Sequence, residues 1–130
     1  MPLLRLTKNA IRVLEARYLR RDQQGVIRES PEEMFERVAR AVAYAELLEG
    51  NARQAALWED EFYNFLTSLD FIPNSPTLMN AGTPLGQLSA CFVLPVEDSI
   101  EGIFESVKQM ALIQRTGGGT GFSDTPADEV

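Results

Sequence analysis

Histidine is absent from this 130-residue sequence, and cysteine occurs once, as Cys91. Without histidine the chain lacks the commonest general base near neutral pH and the commonest zinc ligand. A single thiol excludes an internal disulfide, and with no imidazole beside it no structural metal site is expected. Chemistry must therefore rest on Cys91, on carboxylates or on backbone groups. Positive charge is also scarce: 12 Lys and Arg stand against 19 Asp and Glu, a formal net charge of −7. That balance disfavours nucleic acid or an anionic membrane as partner. The start, MPLLRLTKNAIRVLE, is charged by its fifth residue, so neither a signal peptide nor a membrane span is expected there. Cytoplasm is the expected location.

What is present reads as one modest domain, mainly α. An apolar content of 45% is that of an ordinary globular chain, and the length suffices to bury a core without a metal or disulfide. Thr7 precedes KNAIRVLEARYLRR, in which Ile11, Leu14, Tyr18 and Leu19 recur at helical spacing, and Asp22 to Gly25 breaks the pattern. Ser30-Pro31-Glu32-Glu33 joins an N-cap serine, a first-turn proline and a glutamate at the third position. The helix that follows carries Met34, Phe35, Val38, Ala41, Val42, Ala45 and Leu48, and Gly50 can end it. A third helix is expected from about Asn51 to Leu69, burying Leu57, Trp58, Phe62, Phe65 and Leu66. No linker or repeat separates these segments.

From Phe71 the texture changes. FIPNSPTLMNAGTPLGQ holds three prolines and two glycines and reads as loop. LSACFVLP, Leu88 to Pro95, is a short apolar run and reads as a buried strand. Asp98-Ser99-Ile100-Glu101 is a further capping sequence, and Ile100, Ile103, Phe104, Val107, Met110 and Ala111 continue as an amphipathic helix. One strand cannot satisfy its own backbone, so it calls for a neighbour that the remaining chain does not obviously supply. The expected domains are an all-helical 1–70, a loop, strand, helix and glycine turn over 71–123, and a divergent acidic tail, 124–130.

Individually, the chemistry-bearing residues each allow two readings. IQRTGGGTGF packs four glycines into five positions, yet no lysine and Ser/Thr close it as a Walker loop. It is a helix stop and turn, or a backbone surface against a ligand. Cys91 is a small hydrophobe in an apolar run, or a redox thiol with nothing local to activate it. Asp98 and Ser99 cap a helix or accept sugar hydroxyls. Asn74, Ser75 and Thr77 are loop residues or donors to phosphate oxygens.

Their order along the chain is more specific. FIPNSPTLMNAGTPLGQLSACFVLPVEDSIEGIFESVKQMALIQRTGGGTGFS resembles the large catalytic chain of ribonucleotide reductase, best in its adenosylcobalamin-dependent (class II) form. LTKNAIRVLEARYLRRDQQGVIRESPEEMFERVARAVA is similar to that family's N-terminal helical region, so the resemblance spans about residues 5 to 123. It implies a fragment of a ten-stranded α/β barrel protein, with LSACFVLP as the first barrel strand. Cys91 would be one of two thiols that reduce the ribose and become a disulfide. Ser75 and Thr77 would hold substrate phosphate, and Ala90 and Gly119 would line the nucleotide. Asp98, Ser99 and Ile100 would meet a deoxynucleotide effector at a dimer interface. Adenosylcobalamin is implied for the complete enzyme, with none expected on this chain alone.

After Ser123 the resemblance stops at DTPADEV. The second redox cysteine, the radical-bearing cysteine and the catalytic glutamate and asparagine have no counterpart, so the isolated chain is expected to be inactive. Three accounts follow: one piece of a split reductase completed by a complementary chain, a truncated paralogue acting as a nucleotide-binding, dimerising or regulatory module, or a fragment. Weak nucleotide binding is expected in isolation. The segment after Phe71 is expected to be disordered, refolded into extra helix or paired with a second copy. The helix over 99–116 would dock on the N-terminal helices or form a homodimer.

Overall fold

The computed structural model describes residues 4–123; the acidic tail expected over 124–130 lies outside the described residues. The chain runs α1 (Lys8–Arg17), α2 (Pro31–Leu48), α3 (Ala52–Thr67), α4 (Ser75–Asn80), β1 (Cys91–Pro95), α5 (Ile100–Gln114) and β2 (Gly119–Ser123). It is mainly helical, with one short pair of strands.

The helices start where their capping chemistry directs. Thr7 accepts the Ala10 N–H at 3.1 Å and opens α1. Ser30 and Glu33 form a reciprocal capping box at α2, Glu33 N donating to Ser30 Oγ at 3.2 Å and Ser30 N to Glu33 Oε2 at 2.7 Å. Gly50, at φ +80°, turns the chain into α3, which Asn51 caps through the Gln54 N–H. So short a connection makes α2 and α3 a hairpin. The core is Leu19, Met34, Phe35, Val38, Ala39, Leu66, Leu78 and Ala81, with Leu14, Tyr18, Ile27 and Phe62 packed around it. The stripe expected on α3 is less buried than its pattern implies. Leu66 is enclosed, while Leu57, Trp58 and Phe65 stay exposed because α2 covers only one side of the helix.

Three expectations for the second half are corrected. The segment NSPTLMN is a helix, α4: Asn74 caps it through the Thr77 N–H and Pro76 sits in its first turn. The composition that reads as loop supplies the cap and the N-terminal proline. The glycine run is partly a strand, since Gly119–Ser123 forms β2 and pairs in parallel with β1. Residues 71–123 thus hold a helix where loop was expected, α4, and β1 depends on no second copy for its pairing. Helix α5 packs on β1 and β2, making a βαβ unit; of the two expectations for it, docking on the N-terminal helices or a homodimer, the first is replaced by this packing.

An arginine held by an ion pair on α2 reaches the end of α4. Arg37 lies on α2 and Glu29 just before it, with side chains 10% and 7% exposed, so both charges are withdrawn from water. Arg37 donates from Nε to Glu29 Oε1 at 2.6 Å and from Nη2 to Oε2 at 3.0 Å, a fork geometry that lysine cannot reproduce. The same guanidinium donates to the Ala81 carbonyl at 2.6 Å and the Leu78 carbonyl at 3.0 Å. These are free carbonyls at the C-terminal end of α4, where a cation also complements the helix dipole. Glu29 Oε2 additionally accepts the Arg20 N–H at 3.1 Å. Gly82, at φ +69°, follows; a Cβ there would lie 3.0 Å from Arg37 Cγ.

A smaller device shapes the α1–α2 connection. Asp22 Oδ1 accepts the Gln24 and Val26 N–H groups, and Oδ2 accepts Arg28 Nε at 2.7 Å. Gly25, at φ +80°, makes the turn, and Arg21 and Ile27 form an antiparallel bridge. The Val26 N–H, followed by the Arg28 guanidinium, holds the Asp22 carboxyl below its ordinary value.

Two outcomes follow. Arg37→Met leaves Glu29 buried and unpaired and should cost roughly 3 to 5 kcal/mol in urea unfolding, while Arg40→Met, whose ion pairs are largely exposed, should cost about 1 kcal/mol or less. A carboxyl depressed on folding stabilises the turn above its unfolded pKa and loses that contribution as pH falls through the folded value. The protection of the Val26 amide relative to its intrinsic exchange rate should therefore fall on acidification below the usual carboxylate range, and Asp22→Asn should remove that acid-dependent step.

Candidate functional site

Backbone pairing brings three of the expected nucleotide-site residues together. Gly119 N donates to the Ala90 carbonyl at 2.6 Å, and Cys91 lies opposite Gly119 in the parallel register. A Cβ on Gly119 would sit 3.4 Å from the Ala90 carbonyl oxygen and 3.8 Å from Cys91 Sγ. The missing side chain therefore leaves space beside the thiol. Cys91 itself is exposed, which corrects the expectation of a buried strand facing inward. Along β1, Phe92 and Leu94 turn toward cover while Cys91, Val93 and Pro95 are exposed. Side chains alternate across a strand, and α5 covers only one face of this two-stranded sheet.

The glycines divide the work. Gly117, at φ +90°, ends α5 and turns the chain, so the helix-stop reading holds for this position. Gly118 is buried, and a Cβ there would lie 2.8 Å from Ile113 Cγ2 and 3.1 Å from Phe92 Cε2. Gly119 enters β2 against Ala90, while Gly121 has nothing within 4 Å of a Cβ position.

Ser75 and Thr77 stand differently from one another. Ser75 is exposed at the start of α4, its hydroxyl 2.8 Å from the Tyr18 hydroxyl. Thr77 is 7% exposed, and its Oγ1 lies 3.0 Å from the Leu88 carbonyl and 2.9 Å from Asn74 Oδ1. With one hydroxyl proton it serves one of these acceptors at a time. This contact ties α4 to the residues just ahead of Ala90 and Cys91.

Asp98, Ser99 and Ile100 lie at the other end of the sheet. Four strand steps, roughly 13 Å, separate Cys91 from Pro95, so the two groups of expected site residues occupy opposite ends of β1. Ser99 is the N-cap of α5, accepting the Gly102 N–H at 3.0 Å, and Ile100 is 72% exposed. A Cβ at Gly102 would approach Glu97 Cβ to 2.6 Å, which packs this turn closely. Ser106 is buried and donates to the Pro95 carbonyl at 2.7 Å, fastening α5 to the end of β1.

Sequence reasoning missed Asn80, Arg37, Glu29 and Ser106. Arg37 carried a legible signal: it falls three residues after Met34 and four before Ala41, on an otherwise apolar face. Asn80 carried none, being an ordinary loop type in LMNAG.

With this geometry described, the similarities have a structural meaning. Residues 4–86 match the family profile described as ribonucleotide reductase, all-alpha domain, and residues 89–126 match ribonucleotide reductase, barrel domain. The chain belongs to the ribonucleotide reductase family. A vitamin B12-dependent ribonucleoside-diphosphate reductase of Thermoplasma acidophilum is 41% identical over 98% of this chain and 24% of its own length. A protein of the same description from Mycobacterium tuberculosis is 49% identical over 92% of this chain and 17% of its own. The ribonucleoside-diphosphate reductase large chain of Schizosaccharomyces pombe is 41% identical over 86% of this chain and 13% of its own. The chain thus spans about a quarter or less of the curated relatives it matches. Within the family's two domain types, α1 to α4 lie in the all-alpha match and the βαβ unit in the barrel match.

Alanine substitution should distinguish the glycines of this reductase segment. Gly118→Ala overpacks against Ile113 and Phe92 and should cost about 1 to 3 kcal/mol. Gly121→Ala, with open space and no positive φ, should stay within about 0.5 kcal/mol. Urea unfolding of both variants checks the difference.

Proposed function

We propose that this chain supplies the redox-thiol strand and part of the nucleotide-binding backbone of a ribonucleoside-diphosphate reductase, the activity that makes DNA precursors from ribonucleotides. The observation that carries this reading is the pairing of Cys91 with Gly119 beside Ala90, which leaves an exposed thiol next to side-chain-free backbone.

In the net reaction two thiols and a ribonucleotide give a deoxyribonucleotide, one disulfide and water. The two thiols lose two electrons and two protons; the 2′ carbon loses its hydroxyl as water and gains hydrogen. Cys91 is the first thiol. It is the sole cysteine of these 130 residues, so the second comes from outside them. Ala90 and Gly119 present backbone to the nucleotide, where glycine admits closer approach than any side chain. Ser75, exposed, offers its hydroxyl to substrate phosphate, and Thr77 fixes the same turn from its buried side.

At the far end of β1, Asp98, Ser99 and Ile100 take the effector deoxynucleotide. The exposed apolar residues Ile100, Ile103, Phe104 and Val107 of α5 form the contact with a second copy. Vitamin B12 is named in the B12-dependent relatives; as adenosylcobalamin it would belong to the complete enzyme, where it would supply radical initiation. The residues described here offer it no axial imidazole, since the chain has no histidine, and its one thiol is assigned to the ribose. Cobalamin contacts are accordingly assigned outside this chain. No described helix is long and apolar enough to cross a membrane, and the proposed location is cytoplasmic.

The test is reconstitution with a polypeptide carrying the rest of the barrel, followed by cobalamin-dependent reduction of ribonucleoside diphosphates. Activity should appear only with both chains present, and Cys91→Ser should reduce turnover to background. Full activity of the Cys91→Ser complex would exclude the redox role.

A further inference from the structure

The two chains of backbone that meet at Cys91 and Gly119 leave α4 and α5 through different connections, and a single side chain touches both. Asn80 ends α4 and is 9% exposed. Its Nδ2 lies 3.1 Å from the Gln87 carbonyl, four residues before Cys91, and 3.4 Å from the Thr116 carbonyl, three residues before Gly119. Carbonyl oxygens only accept, and an amide nitrogen carries two N–H groups, so the one side chain can satisfy both connections at once. Thr77, one helical turn earlier, makes the neighbouring contact to the Leu88 carbonyl. The inner face of α4 therefore grips the approach to β1 at two successive carbonyls and the approach to β2 at one.

We infer that Asn80 is a positioning residue: it sets the placement of the Cys91 strand against the glycine strand, and so the geometry of thiol and nucleotide-lining backbone. Three details support this assignment. Asn80 is the described side chain that hydrogen-bonds ahead of both strands, whereas Thr77 reaches one. The Gly119 to Ala90 hydrogen bond, at 2.6 Å, is the first link of the ladder and lies directly beyond these two contacts. Gly117 and Gly118 between Thr116 and Gly119 bring no side chain to hold the connection, so its position must come from outside the glycine run. Neither isosteric partner chemistry works in place of the amide. An aspartate at this position would set a carboxylate against two carbonyl oxygens, and a leucine would bury both carbonyls without donors.

The inference rests on the reading of Cys91 as the redox thiol only for its catalytic consequence; the geometric claim is independent of it. The experiment uses the 130-residue chain first. Amide hydrogen exchange at Gly119, read by NMR, should be about tenfold faster in Asn80→Ala, the order expected from loss of one to two hydrogen bonds. Exchange in the α2–α3 hairpin should be unchanged, and Asn80→Gln, which keeps both donors, should recover part of the protection. If Asn80→Ala does not fold, Asn80→Ser, which keeps one donor, is read by the same ratio of Gly119 to α2–α3 exchange. Equal protection of Gly119 in wild type and a folded variant overturns the inference, as does an equal change in both regions.

The second arm uses the reconstituted reductase. Asn80→Ala should lower kcat more than it raises KM, since the misplaced group is the thiol, and Asn80→Gln should restore part of kcat. Unchanged kcat in Asn80→Ala, with Cys91→Ser inactive, overturns the positioning role while the redox reading stands. Activity retained in Cys91→Ser removes the redox reading, and the exchange result then decides the positioning claim alone.

Discussion

The buried pair of Arg37 and Glu29 is the constraint on which the arrangement depends. A paired guanidinium this far from water is stable only if most of its donors are used, and Arg37 directs four N–H···O contacts to Glu29, Leu78 and Ala81. Two of the acceptors belong to the start of the helical bundle and two to the end of α4. A hydrophobic contact of similar size would hold the same surfaces together without specifying which carbonyls meet. The ion pair specifies them, because its fork has a fixed direction. Everything downstream of α4 inherits that placement.

From α4 the constraint passes on through neutral groups. Thr77 and Asn80 project from one side of a six-residue helix to the connections that feed the strands, and the strands then align Cys91 with Gly119. The route is charged at α2 and made of a neutral hydroxyl and amide near the candidate site. This keeps fixed charge of the linking residues away from the thiol. At the other end of β1, Ser106 and the Ser99 cap anchor α5 in the same manner, by a hydroxyl on a carbonyl and a hydroxyl on an N–H.

Much of the helical part was legible because capping is local chemistry. Thr7, Ser30 with Glu33, Asn51 and Ser99 each announce a helix within four residues, and each cap is formed. The parts that escaped are those decided at a distance. Helix α4 was hidden by prolines and asparagines that serve equally in loops. Strand β2 was hidden because glycine has little strand preference, and its pairing with β1 is set by the α5 crossover. Exposure of Cys91 and Val93 was hidden since an apolar run does not say how many faces will be covered. The candidate residues Cys91, Ala90 and Gly119 could be named from the order of motifs, yet their adjacency required the register. Asn80 and Glu29 were invisible because their partners are backbone groups or a residue whose burial only the fold establishes.

The central claim is that the helical bundle holds the thiol-bearing segment in place through Arg37. The most direct measurement is residue-resolved hydrogen exchange of Arg37→Met against the unmodified chain. The account predicts that protection falls further from α4 through the first residues of β1 than in the middle of the α2–α3 hairpin. Loss confined to α2 around the substitution, with α4 and β1 unaltered, would contradict it.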